Sequence, residues 1–231
     1  MKCVILQPSY IPWRGYFDQI LKADLFIFFD DVQYDTRGWR NRNRIKKPGG
    51  SQWLSIPVNA RGAQTEHISI NQIKISWNNA WNQDHLKALQ HSYSKAPFFN
   101  DYKPLLEQYY NRHDEYLADF TIDFTVAIAR EMGINHTRFM RSSELKSSGV
   151  KTEHLINILK EVGADYYISG PSARDYIEPD VFEKNHIRLE YMAYDYPDYP
   201  QLHPPFEPQV SILDLLFMTG PDALNYINKE K

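Results

Sequence analysis

The sequence predicts an α/β protein on a mainly parallel sheet, opened by a strand–loop–helix–strand unit and carrying a helical insertion over about residues 79–133. Three observations predict it. Two apolar runs, Cys3-Val4-Ile5-Leu6 and Leu25-Phe26-Ile27-Phe28-Phe29, flank one loop and one helical pattern, the spacing of a βαβ unit. A second helix–strand pair lies further on, residues 152–162 and then Asp165-Tyr166-Tyr167-Ile168. Between the two pairs, residues 79–133 are mostly helical in pattern.

The elements follow in order. Cys3-Val4-Ile5-Leu6 reads as a short buried strand, and the two prolines and glycine of Gln7-Pro8-Ser9-Tyr10-Ile11-Pro12-Trp13-Arg14-Gly15 make the next segment a loop. Residues 16–22 read as a helix, because Tyr16, Ile20 and Ala23 recur at the spacing of one helical face. Leu25 to Phe29 is the second strand. The alternation Arg40-Asn41-Arg42-Asn43-Arg44 is strand-like and would set three arginines on one face, ending at the turn signal Pro48-Gly49-Gly50. Trp53-Leu54-Ser55-Ile56-Pro57-Val58, Ile68-Ser69-Ile70 and Ile73-Lys74-Ile75 alternate as half-exposed strands do. The insertion accommodates three helices, around 81–93, 102–110 and 116–132, punctuated by Pro97 and Pro104. In the helix over 152–162, Leu155, Ile156, Leu159 and Val162 form one stripe and Gly163 supplies the stop. Ile187 to Tyr191 is a late strand, 194–208 an irregular Pro- and Tyr-rich segment, and 210–218 a closing helix before Gly220-Pro221. No repeat or dividing linker is visible, so a single domain over 1–231 is expected.

Composition narrows the function. The net charge of −3 gives no global field to recruit nucleic acid, and the positive charge is concentrated locally, with Arg37, Arg40, Arg42, Arg44, Lys46 and Lys47 inside eleven residues. With Cys3 as the single cysteine, neither an intramolecular disulfide nor a cysteine-rich metal site is available, which fits a reducing cytoplasm. The apolar run after Met1 is cut off by Pro8, too early for a secretory leader, and no run approaches the length of a membrane span. The 16 Tyr, 12 Phe and 5 Trp suit either an aromatic core or clefts for amphipathic ligands.

Four groups of residues carry potential chemistry. Asp30-Asp31-Val32-Gln33 lies at the end of a buried strand, where ligands of open α/β sheets collect, and is followed by Arg37, Trp39, Arg40, Arg42, Asn43 and Arg44. The carboxylates suit a divalent cation, a grip on sugar hydroxyls or the role of general base, and arginine suits phosphate. The alternative is an ion network in which the arginines neutralise the carboxylates. The loop from Gln7 through Tyr10 and Trp13 to Gly15 sits between a strand end and a helix start, where backbone N–H groups attract anions and a glycine allows close approach. The third group, Ser169, Gly170, Ser172 and Asp175, also follows a strand, with Ser172 a natural N-cap. His85, on a helix, is a candidate general base. No H-x-x-x-H or H-E-x-x-H pair occurs, so no helix-borne metal site is expected, and no cofactor is specified.

With these residues in view, the chain resembles the WbqC-like protein family. The resemblance runs through Gln7-Pro8-Ser9-Tyr10-Ile11-Pro12-Trp13, Gly15-Tyr16-Phe17, Ala23-Asp24, Asp30-Asp31-Val32-Gln33-Tyr34, Arg37-Gly38-Trp39-Arg40-Asn41-Arg42-Asn43, Trp53-Leu54-Ser55-Ile56-Pro57-Val58, Tyr167-Ile168-Ser169-Gly170 and Ser211-Ile212-Leu213-Asp214-Leu215-Leu216-Phe217. It implies a bacterial transferase of surface-polysaccharide (O-antigen) or specialised metabolism, moving an acyl or aminoacyl group onto an amino-sugar nucleotide. The expected partners are a phosphorylated or nucleotide-linked small molecule and an acyl or aminoacyl carrier protein. Two alternatives remain open: a nucleotidyltransferase-like enzyme using a nucleoside triphosphate and Mg²⁺, and a non-catalytic binding module.

Overall fold

The computed structural model describes residues 1–227; the last four positions of the expected 1–231 domain lie outside them. Five parallel strands form the main sheet in the order β5-β2-β1-β6-β7: β1 (Lys2–Leu6), β2 (Leu25–Phe28), β5 (Arg138–Arg141), β6 (Tyr166–Ser169) and β7 (Arg188–Tyr191). The chain runs from β1 outwards through β2 to β5, then returns to β6 and runs outwards to β7 on the other side. The order therefore reverses between β1 and β6.

The alternating pleat distributes the apolar strands between two cores. Val4, Phe26, Phe28 and Ile168 face one way, onto Phe17 and Ile20 of α1 (Arg14–Lys22), Phe120 and Phe124 of α4 (Leu117–Glu131) and the residues of α7 (Ile212–Thr219). Cys3, Ile5, Leu25, Ile27 and Tyr167 face the other way, onto Leu155, Ile158 and Leu159 of α5 (Thr152–Glu161) and Phe182 of α6 (Pro179–Lys184). Helices thus cover both faces, which is why these strands read as continuous apolar runs. Cys3 is fully buried, and burial pushes its thiol up to about 12.

The helical insertion contains α2 (Trp81–Tyr93) and α3 (Phe99–Tyr110) as well as α4. Pro104 lies inside α3 and does not end it. Phe99, Tyr102, Leu106 and Tyr110 are buried along that helix, and their packing outweighs the one backbone bond that proline removes.

A two-stranded hairpin, β3 (Arg42–Lys47) and β4 (Gly50–Ser55), stands apart from the main sheet. Its turn lies at Pro48-Gly49, with Gly49 at φ +80°. Only two of the three arginines share its outer face: Asn43 and Ile45 alternate inwards, and Arg40 precedes the strand. Ile68-Ser69-Ile70 and Ile73-Lys74-Ile75 are not strands. They form isolated bridges, Gln33 with Ser69, Val58 with Ile75 and Lys74 with Tyr116, around a short 3-10 turn at Ile70–Gln72.

Candidate functional site

A cleft of about 560 Å³ opens at the carboxyl ends of β1 and β6, where the strand order reverses. Open parallel sheets bind ligands at this point, because the loops leaving two adjacent strands diverge to opposite faces and leave a crevice. Leu6 and Ser169 end the two strands in its floor, with Ile5 and Tyr167 beneath. Ser9, Pro12 and Trp13 of the first loop and Tyr16 and Gln19 of α1 make one wall; Gly170, Ser172, Ala173 and Tyr176 face them. Trp39, Arg40, Asn43, Tyr194 and Gln209 complete the lining. Among the described residues, Arg40 is the one charged side chain of the lining, which includes no carboxylate and no imidazole.

Local packing holds this lining in place. A Cβ at Gly15 would come within 2.3 Å of the Trp13 ring. The glycine therefore makes room for the indole, not for the close approach of a ligand. Trp13 meets Tyr194 edge-on, with centroids 4.9 Å apart. Asn43 is buried and donates from Nδ2 to the carbonyls of Tyr10 (3.1 Å) and Ile11 (2.9 Å), fixing the loop where Ile11 takes φ +36°. Arg40 Nη1 donates to the Pro8 carbonyl and to Ser9 Oγ, each at 3.1 Å. Gln19 Nε2 donates to Tyr194 Oη at 2.8 Å, while its buried Oε1 has no hydrogen-bond partner.

Burial draws the Arg40 guanidinium below its ordinary value, with Tyr16, Asp35 and Tyr34 pulling the other way. It pushes the Tyr16 and Tyr194 phenols upwards, so both are neutral hydroxyls near neutrality. The cleft thus offers one cation, several neutral hydrogen-bonding groups and aromatic faces.

Of the residues singled out in the sequence, Trp13, Trp39, Arg40, Asn43, Ser169, Gly170 and Ser172 line this cleft. Ser172 is not an N-cap: Gly170 takes that position for the short 3-10 segment Pro171–Asp175, and Asp175 is exposed outside the cleft lining. Gln7 is also outside the lining; its carbonyl accepts the Tyr16 hydroxyl at 3.1 Å. Gln33 is exposed and donates to the Gln64 carbonyl at 3.0 Å. Arg37 is exposed, and Arg42 and Arg44 lie against Trp53 with their guanidinium carbons 5.0 and 5.7 Å from its ring.

Asp30 and Asp31 sit beyond β2, and neither lines the cleft. The arginines of residues 37–44 do not neutralise them; the serines that follow β5 hold them instead. Asp30 is fully buried: its carboxylate accepts from Ser143 N–H and Ser143 Oγ, each at 3.0 Å, and its own N–H donates to Ser142 Oγ at 3.1 Å. Burial raises its carboxyl above the usual range, against the lowering pull of the Ser143 hydrogen bonds. Asp31 accepts from Ser142 Oγ at 2.5 Å and faces His154 Nε2 at 3.6 Å.

Tyr10 and His85 are enclosed with Tyr110: Tyr10 Oη is 2.8 Å from His85 Nδ1 and 2.5 Å from Tyr110 Oη. Burial lowers the His85 imidazole to about 4. Among the described residues, no group of three or more His, Cys, Asp or Glu is arranged to hold a metal ion.

The profile of the WbqC-like protein family matches residues 7–226, a span that includes the cleft's loops and strand ends. The chain belongs to the WbqC-like family. An uncharacterized protein of Mycobacterium tuberculosis is 42% identical over 229 residues, covering 98% of this chain and 97% of that protein. No solved structure matches the chain.

Ser9, Tyr16, Gln19, Tyr176, Tyr194 and Gln209 line the cleft of this WbqC-like chain and were not singled out from the sequence. Ser9 and Tyr16 lie in blocks that carried the resemblance, and Tyr194 opens the Tyr- and Pro-rich segment. Gln19 gave no signal, since a lone glutamine on a helix reads as solvated surface. No helix among the described residues is long and apolar enough to cross a membrane.

Proposed function

We propose that this WbqC-like chain serves polysaccharide-related biosynthesis as a transferase that holds a nucleotide-linked amino sugar in the switch-point cleft and places an acyl or aminoacyl group on it. The observation that carries this reading is the single cation, Arg40, set among hydroxyls, amides and aromatic rings at the carboxyl ends of β1 and β6. A guanidinium suits phosphate, hydroxyls and amides suit a sugar, and ring faces suit its apolar edges. The family resemblance supplies the biosynthetic setting and the transfer chemistry.

A second reading, a sugar-nucleotide binding module without turnover, is favoured by one specific feature. The cleft lining holds no carboxylate or imidazole to serve as base. Isothermal titration with uridine diphosphate N-acetylglucosamine tests the shared part of both readings. Arg40→Gln should weaken binding by roughly tenfold or more, the cost of one charge-assisted hydrogen bond, while Asp31→Asn should leave it within about twofold of the parent. Unchanged affinity in Arg40→Gln would remove phosphate recognition from this cleft. Mass spectrometry of reactions with amino-sugar nucleotides and acyl or aminoacyl carriers then separates transfer from binding alone.

A further inference from the structure

We infer that the exposed Trp39–Trp53 pair, backed by Arg42 and Arg44, is a stacking subsite for the nucleobase of the ligand whose sugar and phosphate enter the cleft. The inference rests on the sugar-nucleotide reading above and adds the part of the ligand that the cleft itself leaves out. Trp39 is 41% and Trp53 48% exposed, an unusual display for indoles. Their ring centroids are 5.3 Å apart with planes tilted by 32°, so no third ring fits between them and a base would lie on their open face.

Hydrogen bonds and strand pairing organise the platform before any ligand arrives. Trp53 stands on β4 directly across from Arg44 of β3. The Trp39 carbonyl accepts the Tyr10 N–H at 3.2 Å. Arg42 is held by the Gly38 and Arg37 carbonyls, and Arg44 by the Gln209 carbonyl and side chain at 2.9 and 3.1 Å. Both guanidinium groups lie against the indoles, Arg42 5.0 Å from Trp53 and Arg44 6.0 Å from Trp39.

Position and charge complete the argument. Trp39 and Gln209 belong to the cleft lining as well as to this platform, so the two surfaces are continuous. Trp53 lies outside the lining. A ligand anchored in the cleft and extending past Trp39 meets an aromatic plane edged by the Arg42 and Arg44 guanidinium groups, of which Arg44 also faces Glu207 Oε2 at 3.9 Å. That surface matches a flat base joined to a phosphate, because every base presents a stackable face and every nucleotide an anion.

The test uses the full chain, uridine 5′-diphosphate, and glucosamine 1-phosphate as a probe without a base, followed by titration calorimetry and tryptophan fluorescence. Trp53→Ala should weaken uridine diphosphate binding by roughly five- to a hundredfold, the range for loss of one base–aromatic stack. Trp53→Phe should restore most of that loss, and Trp53→Ala should leave glucosamine 1-phosphate binding unchanged. Equal uridine diphosphate affinity in Trp53→Ala and the parent overturns the inference, as does an equal loss for both probes. If Arg40→Gln abolishes glucosamine 1-phosphate binding while Trp53→Ala changes nothing, the cleft reading stands and the platform falls. If uridine diphosphate binding depends on Trp53 but not on Arg40, the platform stands and the cleft reading falls. A parent chain that binds neither probe refutes both.

Discussion

His85 makes acid stability a quantitative test of the buried polar core. Its ring is 6% exposed, edge-on to Trp81 at 5.2 Å, with Nδ1 against the Tyr10 hydroxyl at 2.8 Å. Desolvation is the largest influence on it and lowers the imidazole from 6.5 to about 4, against the raising pull of the Ser55 backbone hydrogen bond and of the Asp84 charge. The folded state therefore refuses a proton that the unfolded chain accepts. Stability from this group is complete above the unfolded value of 6.5, declines as pH falls from about 6.5 to about 4, and is lost below that. Each pKa unit corresponds to about 1.36 kcal/mol, so the full loss is about 3 kcal/mol. Urea unfolding across this window, for the parent and for His85→Gln, isolates the effect because other titrating groups are common to both. The difference in unfolding free energy between parent and variant should shrink by about 3 kcal/mol from the top of the window to the bottom. A difference that stays flat would show that the ring accepts its proton in the folded state, and that burial does not control it.

Two further substitutions test the packing that shapes the cleft and the network beneath it. Gly15→Ala drives a methyl into the Trp13 indole, whose nearest atom would be 2.3 Å away. Overpacking of that kind costs about 1–3 kcal/mol, and displacement of Trp13 should weaken ligand binding as well; a denaturation curve and a titration measure the two. Tyr93→Phe removes the hydroxyl that donates to Asp214 at 2.8 Å and accepts the Lys46 N–H at 2.8 Å. Because both partners are buried, the loss should be about 1–3 kcal/mol by urea unfolding, with ligand affinity unchanged because Tyr93 lies outside the cleft lining.

The elements legible in the sequence are those whose own side chains demand burial. β1, β2 and β6 sit inside the sheet and read as apolar runs, and α5 shows an apolar stripe because only one of its faces meets the core. β5 carried no such signal. Arg138-Phe139-Met140-Arg141 is an edge strand, charged at both ends, and becomes a strand by pairing with β2 alone. The opposite error arose at residues 68–75. Ile70, Ile73 and Ile75 are buried beside the start of α4, the last two at alternating positions, where Leu117 N–H donates to the Ile73 carbonyl at 2.8 Å, and no ladder forms. Alternation records which side chains point inwards; it does not record a neighbouring strand.

The same distinction explains why Asp30 and Asp31 did not mark the cleft. Asp30 and Asp31 end one strand of a parallel sheet, and the rule that ligands gather at carboxyl ends applies equally to every strand in it. What separates them is strand order, which depends on pairings between segments far apart in the chain. β5 pairs beside β2 and brings Ser142 onto Asp31 and Ser143 onto Asp30, so hydrogen bonds within the protein hold both carboxylates. β6 pairs beside β1 and brings no such cap. The loops after Leu6 and Ser169 part there, and the space between them is lined by Trp13, Trp39 and Arg40 together with glutamines, tyrosines and serines that look unremarkable one at a time. Local chemistry thus marks where charge must be answered, whereas topology decides whether the protein answers it or leaves room for a ligand.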